Sequence, residues 1–234
     1  MAISIENLFL FIVFLFDLFV VSYALYLSGR LKIERSIWLL IIYCAFNSIC
    51  NLFTSLIIPL LTTPNIVNKI NYYIYAAFTI VEYALFTFFI FLNLKKKGPK
   101  TIIAYASIFF VLFNIWHTSK AKPAGLDSIP IAIETILIFS YCVYYLYTQI
   151  NTMEDMFIYD KYQFWMIIGI MVYLGGSFFI YILANIVSRK TLIEYWFLTY
   201  VFYIIKNILF AIGISLYKKK SKKTYHHKMY PSLN

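Results

Sequence analysis

Residues 164–185 read FWMIIGIMVYLGGSFFIYILAN. The stretch holds no Asp, Glu, Lys or Arg, and polar and apolar residues do not alternate along it. A helix needs about 20 apolar residues to cross a bilayer, whereas a membrane strand needs about 9–11 that alternate. The stretch therefore predicts a spanning helix near 164–187. Working outward, six more runs of the same kind lie near 7–28, 37–61, 70–94, 101–117, 129–149 and 193–217. The fourth is short and has room to extend. The breaks carry the chemistry that ends such runs: Arg30, Lys32 and Arg35 in 29–36; Pro64 in 62–69; the lysines of 95–100; Pro123 and Gly125 in 118–128; 151–163; and 188–190.

Composition agrees. The chain is 62% hydrophobic and 13% charged, against about 25% charged in soluble domains. Lipid is the solvent that accommodates this excess. The predicted fold class is an all-α integral membrane protein, a seven-transmembrane-helix bundle over 1–217 with a basic cytoplasmic tail over 218–234. The net charge of +10 is gathered in short clusters between apolar runs, a pattern of membrane-facing loops and not of a nucleic-acid surface.

Those clusters also predict the orientation. With the N-terminus outside, the inner segments hold Arg30, Lys32, Arg35, Lys95, Lys96, Lys97, Lys100, Lys161 and six tail lysines, 14 in all. The outer segments hold five: Lys69, Lys120, Lys122, Arg189 and Lys190. Basic residues favour the cytoplasmic side, so the C-terminus is expected in the cytoplasm and the protein in the inner (plasma) membrane. The first run lacks a basic start and a small-residue cleavage signal, and reads as a retained helix. The tail is expected to lie against anionic lipid without fixed structure, with His226 and His227 in it.

Ionisable residues inside spans are the candidate site. They are Asp17, Glu82, Glu134 and Lys206. Each is costly in lipid, about 2.5–3.5 kcal/mol at the centre, and so is expected to face the interior and find partners. Asp17, Glu82 and Lys206 fall near the middle of their runs, and Glu134 nearer the outer end. Lys206 pairing with one carboxylate, as a ligand-binding or proton-relay cluster, is one reading; a pair that merely fixes helix register is the other. Asp17 can also be served by Asn or Tyr groups alone. Candidate pocket residues around them are Asn47, Thr79, Tyr173, Tyr203 and Asn207, with Asn51 a turn from Asn47 and Phe78, Phe86, Phe202 and Phe210 flanking the charges. Gly175 and Gly176 invite a close helix approach or a kink.

No catalytic or metal-ligating set is expected. There is no HExxH, and no Ser–His or Cys–His pair at membrane depth. His117 reads as an isolated interfacial residue. Cys44 and Cys50 are about 240° apart around a helix, and with Cys142 they read as small packing residues.

The runs 164–185 and YIIKNILFAIGI (203–214), with the glutamate of VEYALF (81–86), resemble small uncharacterised bacterial seven-helix membrane proteins, which are similar to the membrane-sensing portions of sensor kinases. That resemblance implies a non-enzymatic sensory or signal-relaying module that hands its signal to a cytoplasmic partner protein. The chain also resembles retinal-binding rhodopsins, loosely the heliorhodopsins in its Glu-Tyr. There Lys206 would be the Schiff-base lysine, Glu82 the counterion and retinal the cofactor. Phe202 and Thr79 stand where that pattern has an acid and an arginine. A proton-coupled small-molecule transporter is the third reading, from the acids and lysine at mid-span.

Overall fold

In the computed structural model, the described residues are 5–28, 34–61, 63–120, 127–151, 158–183 and 189–229. Nearly all of them are helical, with no strand among them. We number the helices α1 (Ile5–Ser28), α2 (Arg35–Leu52), α3 (Pro64–Asn93), α4 (Lys97–Lys120), α5 (Ser128–Asn151), α6 (Tyr162–Leu183) and α7 (Arg189–Met229). Arg30, Lys32, Lys122, Pro123, Gly125 and 230–234 lie outside the described residues, as do the side chains of Lys190 and of 219–229.

All seven helices are long and apolar enough to cross a membrane. A backbone that meets no water must satisfy its own hydrogen bonds, and a helix does this within one segment. The surface supports the same reading. On α4, Tyr105 is 71% exposed, Phe109 73% and Leu112 62%. A contiguous apolar face of this kind is foreign to a water-soluble monomer.

α4 begins at Lys97, four residues before the expected start, because Pro99 is tolerated in a helix's first turn. α2 continues past Leu52 through a π-helical turn, Phe53–Ile57, and a last turn, Ile58–Leu61. Pro59 has no N–H to offer the carbonyl one turn back, and a widened turn absorbs the mismatch. The tail departs from expectation. α7 runs on to Met229, and between Gly213 and Pro231 no Gly or Pro interrupts it.

The helices form a ring in which α1 closes on α7, followed in order by α2, α3, α5 and α6. α4 packs outside, against α3 and α5. The tightest seam joins α6 and α7. A Cβ added at Gly176 would lie 2.4 Å from the Phe202 ring, and one at Gly169 3.0 Å from Phe210. The glycines thus serve close approach.

Candidate functional site

The buried stripe of α1 runs Val13, Asp17, Val20, Ala24 and Leu27, at helical spacing of three and four. Asp17 is its one charged member and sits opposite α2 and α7. Its Oδ2 accepts from Asn47 Nδ2 at 2.6 Å and from Ser48 Oγ at 3.4 Å, and its Oδ1 accepts from Asn207 Nδ2 at 2.8 Å. Asp17 is therefore held by two amides and a hydroxyl.

Lys206 on α7 is fully buried. Among the described residues no carboxylate lies within 4.0 Å of its ammonium, so the direct ion pair with Glu82 does not form. The two are joined by Tyr43 of α2. Lys206 Nζ donates to the Tyr43 hydroxyl at 2.9 Å, and that hydroxyl donates to Glu82 Oε1 at 2.7 Å. Tyr203 also donates to it, at 3.2 Å. A phenol has one proton to give and two lone pairs to receive, so the Tyr43 hydroxyl is saturated. The rest of the ammonium faces rings: Tyr203 at 3.3 Å from the centroid, Tyr43 at 4.3 Å and Tyr173 at 4.7 Å. Cation–π attraction strengthens when the cation is desolvated.

Two ties therefore cross from α2 to α7, one turn apart: Tyr43–Lys206, and Asn47–Asp17–Asn207. The first continues through Glu82 into α3. Asn207 follows Lys206 directly, so both ties reach α7 at one level, on sides about 100° apart.

Above this network lies a cavity of about 160 Å³. Its walls come from the first half of α1, the end of α2, the middle of α3, the first halves of α5 and α7, and the second half of α6. It therefore lies in the half of the bundle where α3, α5 and α7 begin. Glu82, Asn47, Thr79, Tyr173 and Tyr203 of the expected set line it. Glu134 lines it too, is 1% exposed, and lies within electrostatic reach of Glu82. Among the described residues its Oε1 has no hydrogen-bond partner. Asp17, Lys206 and Asn207 are not in the lining; they stand behind it. Thr54, in the π-helical turn, reaches the wall and bonds back to Cys50 O at 2.9 Å.

Tyr43 is the member that charge alone does not reveal. Its signal is position: it stands one turn before Asn47 and two before Asn51, on one face of α2. His117 is likewise not isolated. Its Nε2 lies 2.8 Å from Asp127 Oδ2, and Asp127 Oδ1 accepts from Ile129 N–H at 3.2 Å, capping α5. That pair belongs to the helix junction, where Tyr72 of α3 also donates to Asp127 Oδ2 at 3.4 Å, and neither His117 nor Asp127 lines the cavity. Cys44, Cys50 and Cys142 are free thiols, the first and last fully buried. Among the described residues no group of three His, Cys, Asp or Glu could hold a metal ion.

Comparison with protein-family models, with curated proteins and with solved structures finds no match to this chain. The class defined by fold and composition is an all-helical bundle of seven helices that are long and apolar enough to cross a membrane.

Proposed function

We propose that this chain is a multi-pass protein of the plasma membrane that relays a signal without catalysing a reaction. Its N-terminus lies outside and its C-terminus in the cytoplasm, on the strength of the 14-to-5 basic bias. The cavity then lies in the outer half of the bundle and is the input. The basic end of α7 faces a cytoplasmic partner protein and is the output.

The observation that carries the reading is the Tyr43 hydroxyl. It bonds at once to Glu82, which lines the cavity, and to Lys206, on the helix that runs beyond the bundle to Met229. A change of charge at Glu82 is felt first by the Tyr43 proton and then by the ammonium. Because packed helices shift between discrete arrangements, a local change there can be read at the far end of α7.

The test needs no ligand. With Cys50 replaced by Ala, nitroxides are placed at Lys96→Cys and Lys218→Cys, and their separation is measured in nanodiscs by pulsed electron resonance. Glu82→Gln is expected to move the distance distribution by about 2 Å or more, the scale of interhelical shifts. An unmoved distribution in folded Glu82→Gln protein sinks the relay.

A proton-coupled carrier is the second reading, favoured by the two carboxylates that share the cavity wall. It requires substrate-driven proton flux in proteoliposomes that Glu82→Gln abolishes; the relay reading expects none.

A further inference from the structure

We propose that the cavity binds a small organic cation, an amine or quaternary ammonium compound, held by the Glu134 carboxylate against the aromatic wall of Phe78, Trp196 and Tyr200. This rests on reading the cavity as the input of the relay and names what enters it.

Charge comes first. The lining holds two acids, Glu82 and Glu134, and no Lys or Arg. Glu82 is already served by Tyr43. Glu134 is buried, with Oε1 unpartnered among the described residues. A buried acceptor of this kind needs a donor or a cation, since leaving it bare costs about 1–3 kcal/mol or more. Among the described residues the buried ionisable side chains around this cavity are three acids, Asp17, Glu82 and Glu134, and one base, Lys206.

The wall decides which cation. Hard metal ions take six to eight oxygen ligands in the case of calcium, and an octahedral shell in the case of magnesium. Here much of the surface above the acids is aromatic: Phe78 and Tyr75 from α3, Tyr181 from α6, and Trp196 and Tyr200 from α7. Ring faces attract cations, and cages of such rings are suited to alkylammonium groups, whose charge is spread over an apolar shell. The volume, about 160 Å³, is comparable to engineered cavities of about 150 Å³ that admit benzene, and so suits a head group of a few heavy atoms.

Cys50 supplies the readout. It lines the same cavity, while Cys44 and Cys142 are fully buried. Whole protein in nanodiscs is treated with a trimethylammonium-ethyl methanethiosulfonate reagent, and labelling of Cys50 is timed by mass spectrometry. Choline is expected to slow the labelling in a saturable way. Its uncharged isostere 3,3-dimethylbutan-1-ol is expected not to. Glu134→Gln should raise the half-protecting choline concentration at least about tenfold, as befits loss of a charge-assisted contact, and Glu134→Asp should restore most of it. Trp196→Leu, at a partly exposed position, should weaken protection as well and stands in if Glu134→Gln does not fold.

Three results overturn the proposal: no labelling of Cys50 by the cationic reagent, equal protection by the uncharged isostere, or choline protection unchanged in Glu134→Gln. The Glu82→Gln spin-label comparison is made without choline. Loss of choline protection alone therefore removes the ligand class and leaves the relay standing, whereas unmoved distances with intact protection remove the relay.

Discussion

Replacing Tyr43 by Phe removes one oxygen and three hydrogen bonds while keeping the ring. The ring packs on Phe86 at 4.4 Å between centroids and lies under the Lys206 ammonium at 4.3 Å, and both contacts survive the substitution. The loss is then confined to the hydroxyl. Two of its bonds, 2.7 Å to Glu82 and 2.9 Å from Lys206, involve ionisable partners; the third, 3.2 Å from Tyr203, is phenol to phenol. In water-soluble proteins a hydrogen bond to a charged group contributes about 1.5–3 kcal/mol. Within membranes measured side-chain bonds average about 0.6 kcal/mol and reach about 1.7, because the unfolded helices find other partners. Two bonds at the upper membrane value and one at the mean give a destabilisation of about 4 kcal/mol for Tyr43→Phe. Tyr203→Phe removes only the third, about 0.6 kcal/mol. The assay is reversible unfolding in mixed dodecylmaltoside and dodecyl sulfate micelles, followed by circular dichroism. The contrast between the two variants is the decisive quantity, since common errors of the unfolded state cancel in it. If Tyr43→Phe lies within about 1 kcal/mol of the parent, or no further from it than Tyr203→Phe, the hydroxyl is not the joint between Glu82 and Lys206.

Other outcomes follow from the same geometry. Gly176→Ala drives a Cβ into the Phe202 ring and should destabilise by about 1–3 kcal/mol, whereas Gly98→Ala meets nothing within 4 Å and should be neutral or slightly stabilising in the same micelle titration. Asp127→Ala removes both the α5 cap and the His117 partner, so it should lower stability by about 1 kcal/mol or more, and by more than His117→Ala does. A fluorescent protein fused to the C-terminus should be bright, and alkaline phosphatase fused there inactive; the reverse pattern refutes the orientation. All-trans retinal should produce no visible band, because the Lys206 ammonium points at Tyr43 and rings and does not line the cavity.

The helices were legible because lipid imposes a single rule, about twenty apolar residues between punctuating charges, and the chain obeys it run after run. What the runs could not give was the internal course of α2. Pro59 is visible in the sequence, but whether it ends, kinks or widens a helix depends on what packs beside it. The length of α7 was hidden for a related reason: lysines end a membrane span without ending a helix. In the site, the acids and the lysine could be read because each is anomalous in apolar surroundings. Their connections could not. Tyr43 is one of 22 tyrosines, and only the facing of α2, α3 and α7 selects it. Asp127 carries no such signal, because it stands in a break between runs, where an acid needs no explanation; its bond to His117 exists only once α4 and α5 are antiparallel neighbours.

The position of Tyr43 also explains why the lysine and glutamate are not in direct contact. A direct ion pair is tight, and one neutralised partner leaves the other charge buried and uncompensated. Set on either side of a phenol, Lys206 and Glu82 each keep a neutral hydrogen-bonding partner whatever the charge of the other. The hydroxyl keeps a bond to each, and the ammonium retains the rings of Tyr203 and Tyr173. Such a joint transmits a change in the charge of Glu82 as a change in bond strength instead of a broken pair, so the bundle tolerates both states. A network built only to lock helix register gains nothing from that tolerance. Lys206→Met therefore distinguishes the two roles. In a lock, it should loosen α7 and broaden the spin-label distribution in every background. In a joint, it should leave one narrow distribution and abolish the shift caused by Glu82→Gln.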